Sequence, residues 1–388
     1  MPPPADPIPL IDLKSQHRRI QEEVLAAAGR VAESQCFING PEVKSFEAAM
    51  AERLGVKHAI GVSSGTDALL MVLMAMDVGK SDEVITTPFS FISTAEVILR
   101  MGARPIFVDV LPDTLLMRTA AVRGLLSSRT RAIVPVHLYG QLCDMDELTA
   151  LSEERGIPVI EDCAQSMGAR LNGTAAGGFG LAGAFSFFPS KILGGWGDGG
   201  MVTTSDDELA DRCRQIREHG ANGRDRFEMI GGNFRLDTLQ AAILEVKLRY
   251  LDLWIESRRK AAGVYNRLFA EVDLAAGPDQ TRHPGHRILL PHEGEDRQHA
   301  FNLFVIQAER RDELKAHLDA EGIGNAVYYK TPLHLQPCFK DLGYQPGDFP
   351  VAEEAARSVL ALPLYPEITG EQQRRVVETI AAFYRQNQ

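Results

Sequence analysis

Short apolar runs rich in β-branched residues alternate with amphipathic stretches from about residue 57 onward. The runs are almost continuously apolar, which is typical of strands buried on both faces of a sheet. The predicted strands are residues 59–62, 83–86, 105–108, 132–136, 158–161 and 184–187. The predicted helices between them are residues 67–76, about 90–101 and 145–155. This repeated β-α order predicts an α/β protein with a mostly parallel sheet covered by helices.

The pattern changes near both ends of this series, which suggests three regions. A helix is predicted before the series, at residues 14–34, and a long helix after it, at 237–270. A further strand at 301–306 and a helix at 311–320 follow. We expect an N-terminal tail and helix, a large domain and a smaller C-terminal α+β domain, at residues 1–35, 36–250 and 251–388. The proline-rich start is expected to be disordered.

Charge and cysteine content narrow the classes of partner. The 388 residues carry 41 basic and 52 acidic side chains, a net charge of −11. This balance argues against nucleic acid or an anionic membrane surface as the main partner. The five cysteines form no CxxC pair and do not have the spacing of a zinc site, so we expect no metal site. An odd number of scattered thiols indicates that the protein works in a reducing compartment. With no signal-like start and no apolar run long enough for a bilayer, we expect a cytoplasmic protein.

Candidate ligand-binding residues come directly after the predicted strands, where open parallel sheets bind their ligands. Residues 63–66 read Ser-Ser-Gly-Thr and lead into a helix. Glycine, hydroxyls and free N–H groups together suit a phosphate, and an ordinary helix cap is the simpler alternative. Phe89 and Phe91 follow the next strand. Their rings are suited to stacking on a flat ligand or to filling the core.

Two further strand ends carry opposite charges. Asp162 ends an apolar run. Burying a carboxylate there costs free energy unless a cation or a hydrogen-bond donor pairs with it. The alternative to a ligand-binding role is that Asp162 caps a helix. Lys191 follows an aromatic segment and precedes the glycine-rich residues 194–200. Burial lowers the pKa of a lysine, and the neutral amine then attacks carbonyls. The alternative is a solvated surface lysine.

Pyridoxal 5′-phosphate (PLP) needs all of these features at once. Its phosphate matches the turn at 63–66 and its ring matches an aromatic face. Its aldehyde matches Lys191, and its pyridine nitrogen matches Asp162, which keeps the ring protonated as an electron sink. The combination predicts a PLP enzyme.

Nine ordered motifs resemble the DegT/StrS family of PLP-dependent sugar aminotransferases, which have the aspartate-aminotransferase-like (fold type I) architecture. The motifs are residues 8–13, 38–43, 64–69, 134–140, 160–166, 187–191, 197–200, 233–242 and 331–337. The resemblance implies a large domain with a mostly parallel sheet, a smaller α+β domain and a homodimer with shared active sites.

The resemblance also implies roles for single residues. Lys191 forms the Schiff base, Asp162 pairs with the pyridine nitrogen, Gln165 lies near the ring oxygen, and Phe91 stacks on the ring. The implied cofactor ligands around the phosphate are Ser64, Gly65, Thr66, Ser186 and, from the neighbouring subunit, Asn233. The implied substrate residues are Arg235, Tyr328, Tyr329 and His334. Helix capping and a surface ion pair are the alternatives for Asn233 and Arg235.

By resemblance, the reaction moves an amino group from L-glutamate to a nucleotide-linked keto-sugar, with Lys191 as general base. A 3-oxo sugar such as UDP-2-acetamido-2-deoxy-3-oxo-glucuronate is favoured over a 4-oxo-6-deoxy sugar. Residues 327–330 read Val-Tyr-Tyr-Lys where many relatives read Val-His-Tyr-Pro, which changes the sugar-contacting surface. Lys330 either pairs with a carboxylate or diphosphate or is solvated.

Two other functions remain open. A sugar dehydratase of this family has histidine in place of the lysine, which Lys191 argues against. A non-catalytic regulatory member is expected to lack the lysine or the carboxylate, and both are present.

Overall fold

The computed structural model describes residues 6–223, 225–276, 287–294 and 296–386. Residues 1–5, which carry most of the predicted disordered tail, lie outside the described residues. The strands are β1 (His58–Val62), β2 (Glu83–Thr86), β3 (Arg104–Phe107), β4 (Thr130–Ile133), β5 (Ile160–Asp162), β6 (Arg170–Leu171), β7 (Thr174–Ala175), β8 (Ala182–Ser186), β9 (Gly200–Thr204), β10 (Ala275–Ala276), β11 (Ile288–Leu289), β12 (Arg297–Gln298), β13 (Phe304–Ala308) and β14 (Val359–Leu362). The α-helices are α1 (Leu13–Ser34), α2 (Pro41–Leu54), α3 (Gly65–Ala75), α4 (Ser93–Arg100), α5 (Met145–Arg155), α6 (Asp207–Arg217), α7 (Thr238–Leu248), α8 (Leu251–Glu271), α9 (Arg311–Ala320), α10 (Pro350–Ser358) and α11 (Gly370–Gln386).

The large sheet has the strand order β3-β2-β4-β5-β8-β9-β1. β2 pairs in parallel with β3 and β4, and β5 pairs in parallel with β8. Single parallel bridges between residues 133 and 159 and between 136 and 162 join β4 to β5. β9 is antiparallel to both of its neighbours. The sheet is therefore mostly parallel, and the α/β prediction is confirmed.

Helices cover both faces of this sheet, because its strands are apolar on both sides. Ile60 and Val84 enter a cluster with residues of α3, α4 and α6. Ile85 and Ile133 point to the other face of the sheet, where they enter a second cluster with residues of α2, α5 and α7. The near-continuous apolar runs of the sequence thus reflect two cores separated by one sheet.

A second sheet has the order β10-β11-β13-β14, with β13 antiparallel to β11 and β14. Its core includes residues from α8, α9 and α11, among them Tyr265, Leu314 and Val376. Ile8 joins this core and forms a parallel bridge with Ile323. The helix α1, by contrast, packs on α7.

Several elements, among them α2, α6, α10, α11 and β14, were not predicted from the sequence, and two further differences have a clear physical reason. Residues 237–270, predicted as one helix, form α7 and α8. The N–H groups of Arg249 and Tyr250 bond to carbonyls three residues back, at 3.3 and 3.0 Å, and this tighter turn separates the helices. The strand β9 was not predicted, because its short apolar run directly follows the glycine-rich loop and the start of the strand cannot be distinguished from that loop.

Candidate active site

A cavity of about 700 Å³ lies where the carboxyl ends of β1, β2, β5 and β8 meet. The predicted site residues in its wall are Ser64, Gly65, Thr66, Phe91, Asp162, Gln165, Ser186, Lys191, Tyr328 and Tyr329. The predicted residues outside its wall are Asn233, Arg235 and His334. The cavity therefore brings together, at the strand ends, residues that are distant in the sequence.

The turn at the start of α3 combines a helix cap with an open N-terminus. The Ser64 hydroxyl accepts a hydrogen bond from the Asp67 N–H at 3.0 Å and donates one to the Asp67 carboxylate at 2.9 Å. Ser64 thus is the helix cap that the simpler alternative anticipated. The first N–H groups of the helix have no partner within it and point beyond its end. The capping role and a phosphate site are compatible at this turn.

Gly65 allows the helix to start directly against the end of β8. A β-carbon at this position would lie 2.7 Å from the Ser186 β-carbon, which is closer than any two carbons pack. The hydroxyls of Thr66 and Ser93 lie 2.8 Å apart. Three hydroxyl side chains and the start of a helix therefore border the same corner of the cavity.

Asp162 is a buried carboxylate with two hydrogen-bond donors. The Thr94 hydroxyl donates to Oδ2 at 2.6 Å and the Ala164 N–H donates to Oδ1 at 3.1 Å. Burial raises the pKa of Asp162, whereas both hydrogen bonds and the charge of Lys191 act in the opposite direction. Turns follow β5 at this point, so the helix-cap alternative does not hold.

Lys191 is half-buried in the cavity wall rather than solvated on the surface. Burial lowers the pKa of Lys191 to about 8, although the nearby Asp162 carboxylate acts to raise it. At pH 7 roughly a tenth of such an amine is neutral. The amine has no hydrogen-bond partner among the described residues. A free amine with a lowered pKa is suited to act as a nucleophile or a base.

Gln165 and Tyr329 form a fixed polar pair beside Asp162. The Gln165 carbonyl accepts from the Tyr139 N–H at 2.9 Å, and its amide donates to the Tyr329 hydroxyl at 3.0 Å. Phe91 is 56% exposed and its ring lies 6.4 Å from that of Tyr329, so it does not fill the core. Phe89, in contrast, is fully buried.

Two of the three predicted residues outside the wall have side-chain partners elsewhere. Arg235 forms an ion pair with Glu218 at 2.9 Å, as the simpler alternative anticipated. Asn233 is exposed and lies before α7 without capping it. The side chain of His334 is fully buried outside the wall of this cavity and bonds to Glu353 at 3.1 Å.

Sequence reasoning missed several polar residues in or beside the cavity wall, among them Asp198, Thr94 and Asn302. Thr94, which bonds to Asp162, lies in the first turn of α4 just after a strand end. Asn302 lines the cavity and is 6% exposed. A polar residue inside the apolar run 301–306 was the available signal, because buried polar side chains are uncommon.

One buried group among the described residues has the spacing of a metal site, namely His137, Glu161 and Cys163. The Glu161 carboxylate accepts three backbone N–H groups, from residues 177, 179 and 180, at 2.8–2.9 Å. It also pairs with His137 at 2.9 Å, and the other His137 nitrogen accepts the Cys143 N–H. Protein donors occupy the lone pairs that a metal would need, so the cluster connects β5 to the turn before β8.

Comparisons with known proteins identify the family of this chain. Residues 18–381 match the DegT/DnrJ/EryC1/StrS aminotransferase family. The chain is similar to a pleiotropic regulatory protein of Geobacillus stearothermophilus, with 46% identity over 97% of this chain and 99% of the relative. It is also similar to a UDP-N-acetyl-3-dehydro-alpha-D-glucosamine 3-aminotransferase of Acidithiobacillus ferrooxidans, with 41% identity over 96% and 97%.

The fold is shared with solved structures. The crystal structure of S. venezuelae DesV in complex with a ketimine intermediate superposes with a TM-score of 0.92 at 38% identity, covering 98% of this chain and 99% of that one. None of the helices in the described part of the chain has the length and apolar composition needed to cross a bilayer. The resemblance and the fold type I architecture are therefore confirmed, and the chain belongs to the DegT/DnrJ/EryC1/StrS family of PLP-dependent aminotransferases.

Proposed function

We propose that the protein transfers an amino group from L-glutamate to a nucleotide-linked keto-sugar, with PLP held in the cavity described above. The observation that carries this proposal is the pairing of a low-pKa amine, Lys191, with a buried carboxylate, Asp162, in one cavity. Both residues border a glycine turn at a helix start, which suits a phosphate.

The cavity residues fit PLP in shape and in charge. Gly65, Thr66 and Ser186 would hold the phosphate, with the cap residue Ser64 fixing the turn. Phe91 would offer the face of its exposed ring to the cofactor ring. Gln165 would lie near the ring oxygen and Asp162 at the pyridine nitrogen. When bound, the cofactor supplies an electron sink for negative charge at the reacting carbon.

The protein's own groups would then control protons and solvent. The neutral Lys191 amine takes the proton from the α-carbon of the amino donor and delivers it during the second half of the reaction. The charged Asp162, oriented by Thr94, holds the ring nitrogen protonated. Apolar wall residues such as Leu69 and Val136 exclude water from the reacting carbon.

The sugar that we propose is a UDP-linked 2-acetamido sugar with a 3-oxo group. The 41% identical relative is named for a substrate of this type, and the resemblance of residues 233–242 favours the same keto position. Tyr328 and Tyr329 line the cavity and are the proposed sugar contacts. A uronic acid at the sugar's 6-position and a 4-oxo-6-deoxy sugar are the alternatives that a substrate panel separates.

A regulatory role is the second candidate, because the 46% identical relative carries a regulatory name. Binding alone, however, does not require an amine of lowered pKa beside a buried carboxylate. The two functions are therefore distinguished by turnover.

A homodimer with shared sites completes the proposal. Several large apolar side chains are exposed in the single chain, namely Phe37, Ile38, Phe188, Trp196, Phe227 and Ile230, with exposures of 43–87%. Contiguous apolar area on a surface usually marks an interface, and in the proposed dimer these side chains would lie against a second copy. Asn233 and Arg235 lie on the segment next to Ile230, so a second copy would bring its own Asn233 to the phosphate and its Arg235 to the sugar.

The test is glutamate-dependent amination of keto-sugars, or the reverse reaction with a panel of UDP-, GDP- and dTDP-linked amino-sugars. We expect a yellow protein that turns over a UDP-linked sugar. Lys191→Ala is expected to lower the rate by at least about 1000-fold, whereas Lys330→Ala, at an exposed lysine outside the cavity wall, is expected to retain most of it. A colourless protein, or a Lys191→Ala variant with full activity, would contradict the proposal.

A further inference from the structure

Asn302 places an unpaired amide in the wall of the active-site cavity. The residue is 6% exposed and lines the same cavity as Lys191 and Tyr328. Among the described residues its buried side-chain oxygen has no hydrogen-bond partner, and its amide nitrogen bonds to none of them either. Because both ends of the amide are free, this holds whichever way the group is oriented.

A free buried amide is unusual, because burial without a partner costs free energy. Most side chains of this kind in folded proteins bond to backbone, to another side chain or to a ligand. Gln165, on the same cavity wall, uses both ends of its amide within the protein. The comparison indicates that the partner of Asn302 is a molecule in the cavity.

The backbone around Asn302 is held rigidly. The buried Arg258 donates to the carbonyl groups of Phe301 and Leu364 at 3.3 and 3.1 Å, and more weakly to that of Asn302. Phe301 has a φ of 48°, which is unfavourable for a residue with a β-carbon. Backbone in such a conformation persists only where surrounding contacts fix it, and such positions cluster at functional sites.

A second segment packs against the same residues from the large sheet. Gly140 has a φ of 111°, and a β-carbon there would lie 2.9 Å from the backbone nitrogens of Phe301 and Asn302. The Ala300 N–H donates to the Gly140 carbonyl at 2.8 Å. Asn302 is therefore clamped between two parts of the protein, and its amide is preorganised for a ligand.

We infer that Asn302 determines sugar specificity by hydrogen-bonding an acetamido group of the nucleotide-linked sugar. The side-chain amide of Asn302 has an acceptor oxygen and a donor NH₂ group, and an acetamido group offers an N–H and a carbonyl oxygen that point in opposite directions, so Asn302 would pair with one of the two. A hydroxyl at the same ring carbon lacks the acetyl group and ends closer to the sugar ring, so it would leave the Asn302 amide without this partner. Sites built in this way discriminate strongly against substrates that lack the matching group. The inference rests on the proposed function and names the feature of its substrate that this residue recognises.

The experiment compares two sugars in the wild-type holoenzyme and in Asn302→Leu, which keeps the volume but removes both polar ends. The sugars carry either an acetamido group or a hydroxyl next to the reacting carbon. We expect kcat/KM for the acetamido sugar to fall by about 10- to 100-fold, mostly through KM. For the hydroxyl sugar we expect a change of less than about threefold.

Two controls separate this role from a structural one. Leu303→Met changes the next residue in the same wall without altering polarity, and it is expected to leave the ratio between the two sugars unchanged. The cofactor absorbance change on addition of glutamate alone is expected to be the same in Asn302→Leu and wild type. Equal losses with both sugars, or no loss with either in an active enzyme, would overturn the inference. A wild type that is inactive with every sugar would instead contradict the proposed function.

Discussion

Single side chains carry the chemistry, and the pair Asp162 and Lys191 shows how their surroundings control it. Burial disfavours charge on both residues, so the pKa of the carboxylate is raised and that of the amine is lowered. Each residue's charge partly offsets the effect of burial on the other. The result is an amine that changes protonation near pH 8 while it faces the cavity.

The first prediction concerns the pH dependence of this amine. Below a pKa of about 8 Lys191 is mostly protonated and unreactive, so capture of pyridoxal by the apo-enzyme should accelerate as pH rises through 8 and then level off. Asp162→Asn should move the midpoint to lower pH, because the carboxylate charge normally raises the pKa of the amine. Stopped-flow absorbance measures both profiles. A wild-type midpoint near 10.5, the ordinary value for lysine, would refute the burial effect.

Asp162 and Lys191 were predictable from sequence because charged residues at the ends of apolar strands are uncommon and chemically distinctive. The contact of the His334 ring with Glu353 was not predictable, because it joins segments that no local pattern relates. Asn302 was missed because the only sign of it in the sequence is one polar residue within an apolar run. Its lack of a hydrogen-bond partner depends on packing against Arg258 and Gly140, which no local pattern contains.

The start of α3 shows what a complete structural element adds to the site. The helix must begin directly against β8 for its N–H groups to face the cavity, and Gly65 is the residue that permits this approach. Local sequence predicted the turn and the helix, because glycine and hydroxyl residues at a strand end are strong signals. The contact with Ser186 itself depends on the register of a strand far along the chain.

The second prediction is that Gly65→Ala weakens PLP binding by about 10-fold or more, because the added β-carbon pushes the helix start away from Ser186. Gly79→Ala is the matched control, since nothing lies within 4 Å of a β-carbon at that glycine. Equilibrium titration of the apo-forms with PLP measures the two dissociation constants. Equal affinities in both variants would show that this glycine is not needed for the phosphate site.

The third prediction concerns the connection between β5 and the turn before β8. Glu161→Ala removes the acceptor of three buried or partly buried N–H groups and of His137, which should lower the free energy of unfolding by about 3–5 kcal/mol. Urea denaturation at one fixed protein concentration measures it. Glu154→Ala, which breaks an exposed ion pair with Arg123, should change stability little. Similar losses in both variants would contradict the role assigned to Glu161.

At the scale of the whole molecule, sequence patterns predict the fold class but not how the helices and domains are divided. The α/β class followed from apolar strands alternating with helices, but the break between α7 and α8 has no glycine or proline to mark it. We propose a boundary near residue 250 and another near residue 35. The helix α8 begins at the boundary near residue 250 and contributes to both cores, since Ile255 packs in the core of the large sheet and Tyr265 in the core of the second.

The fourth prediction tests the proposed homodimer through complementation. In a heterodimer of one Lys191→Ala chain and one Asn233→Ala chain, shared sites leave one site fully intact and the other doubly altered. Differently tagged chains, co-expressed and purified through both tags, should therefore show about half of the wild-type activity per dimer. Each variant alone should be nearly inactive. An inactive heterodimer, or a monomer by light scattering, would contradict the shared site.

The most direct measurement is the identification of the residue to which the cofactor is attached. The holoenzyme is reduced with borohydride, digested and analysed by peptide mass spectrometry. We predict that the pyridoxyl phosphate mass is found on Lys191, and not on the buried Lys247 or the exposed Lys330. A modification at either of those lysines, or none in a catalytically active protein, would contradict the central claim that Lys191 and Asp162 form a PLP site.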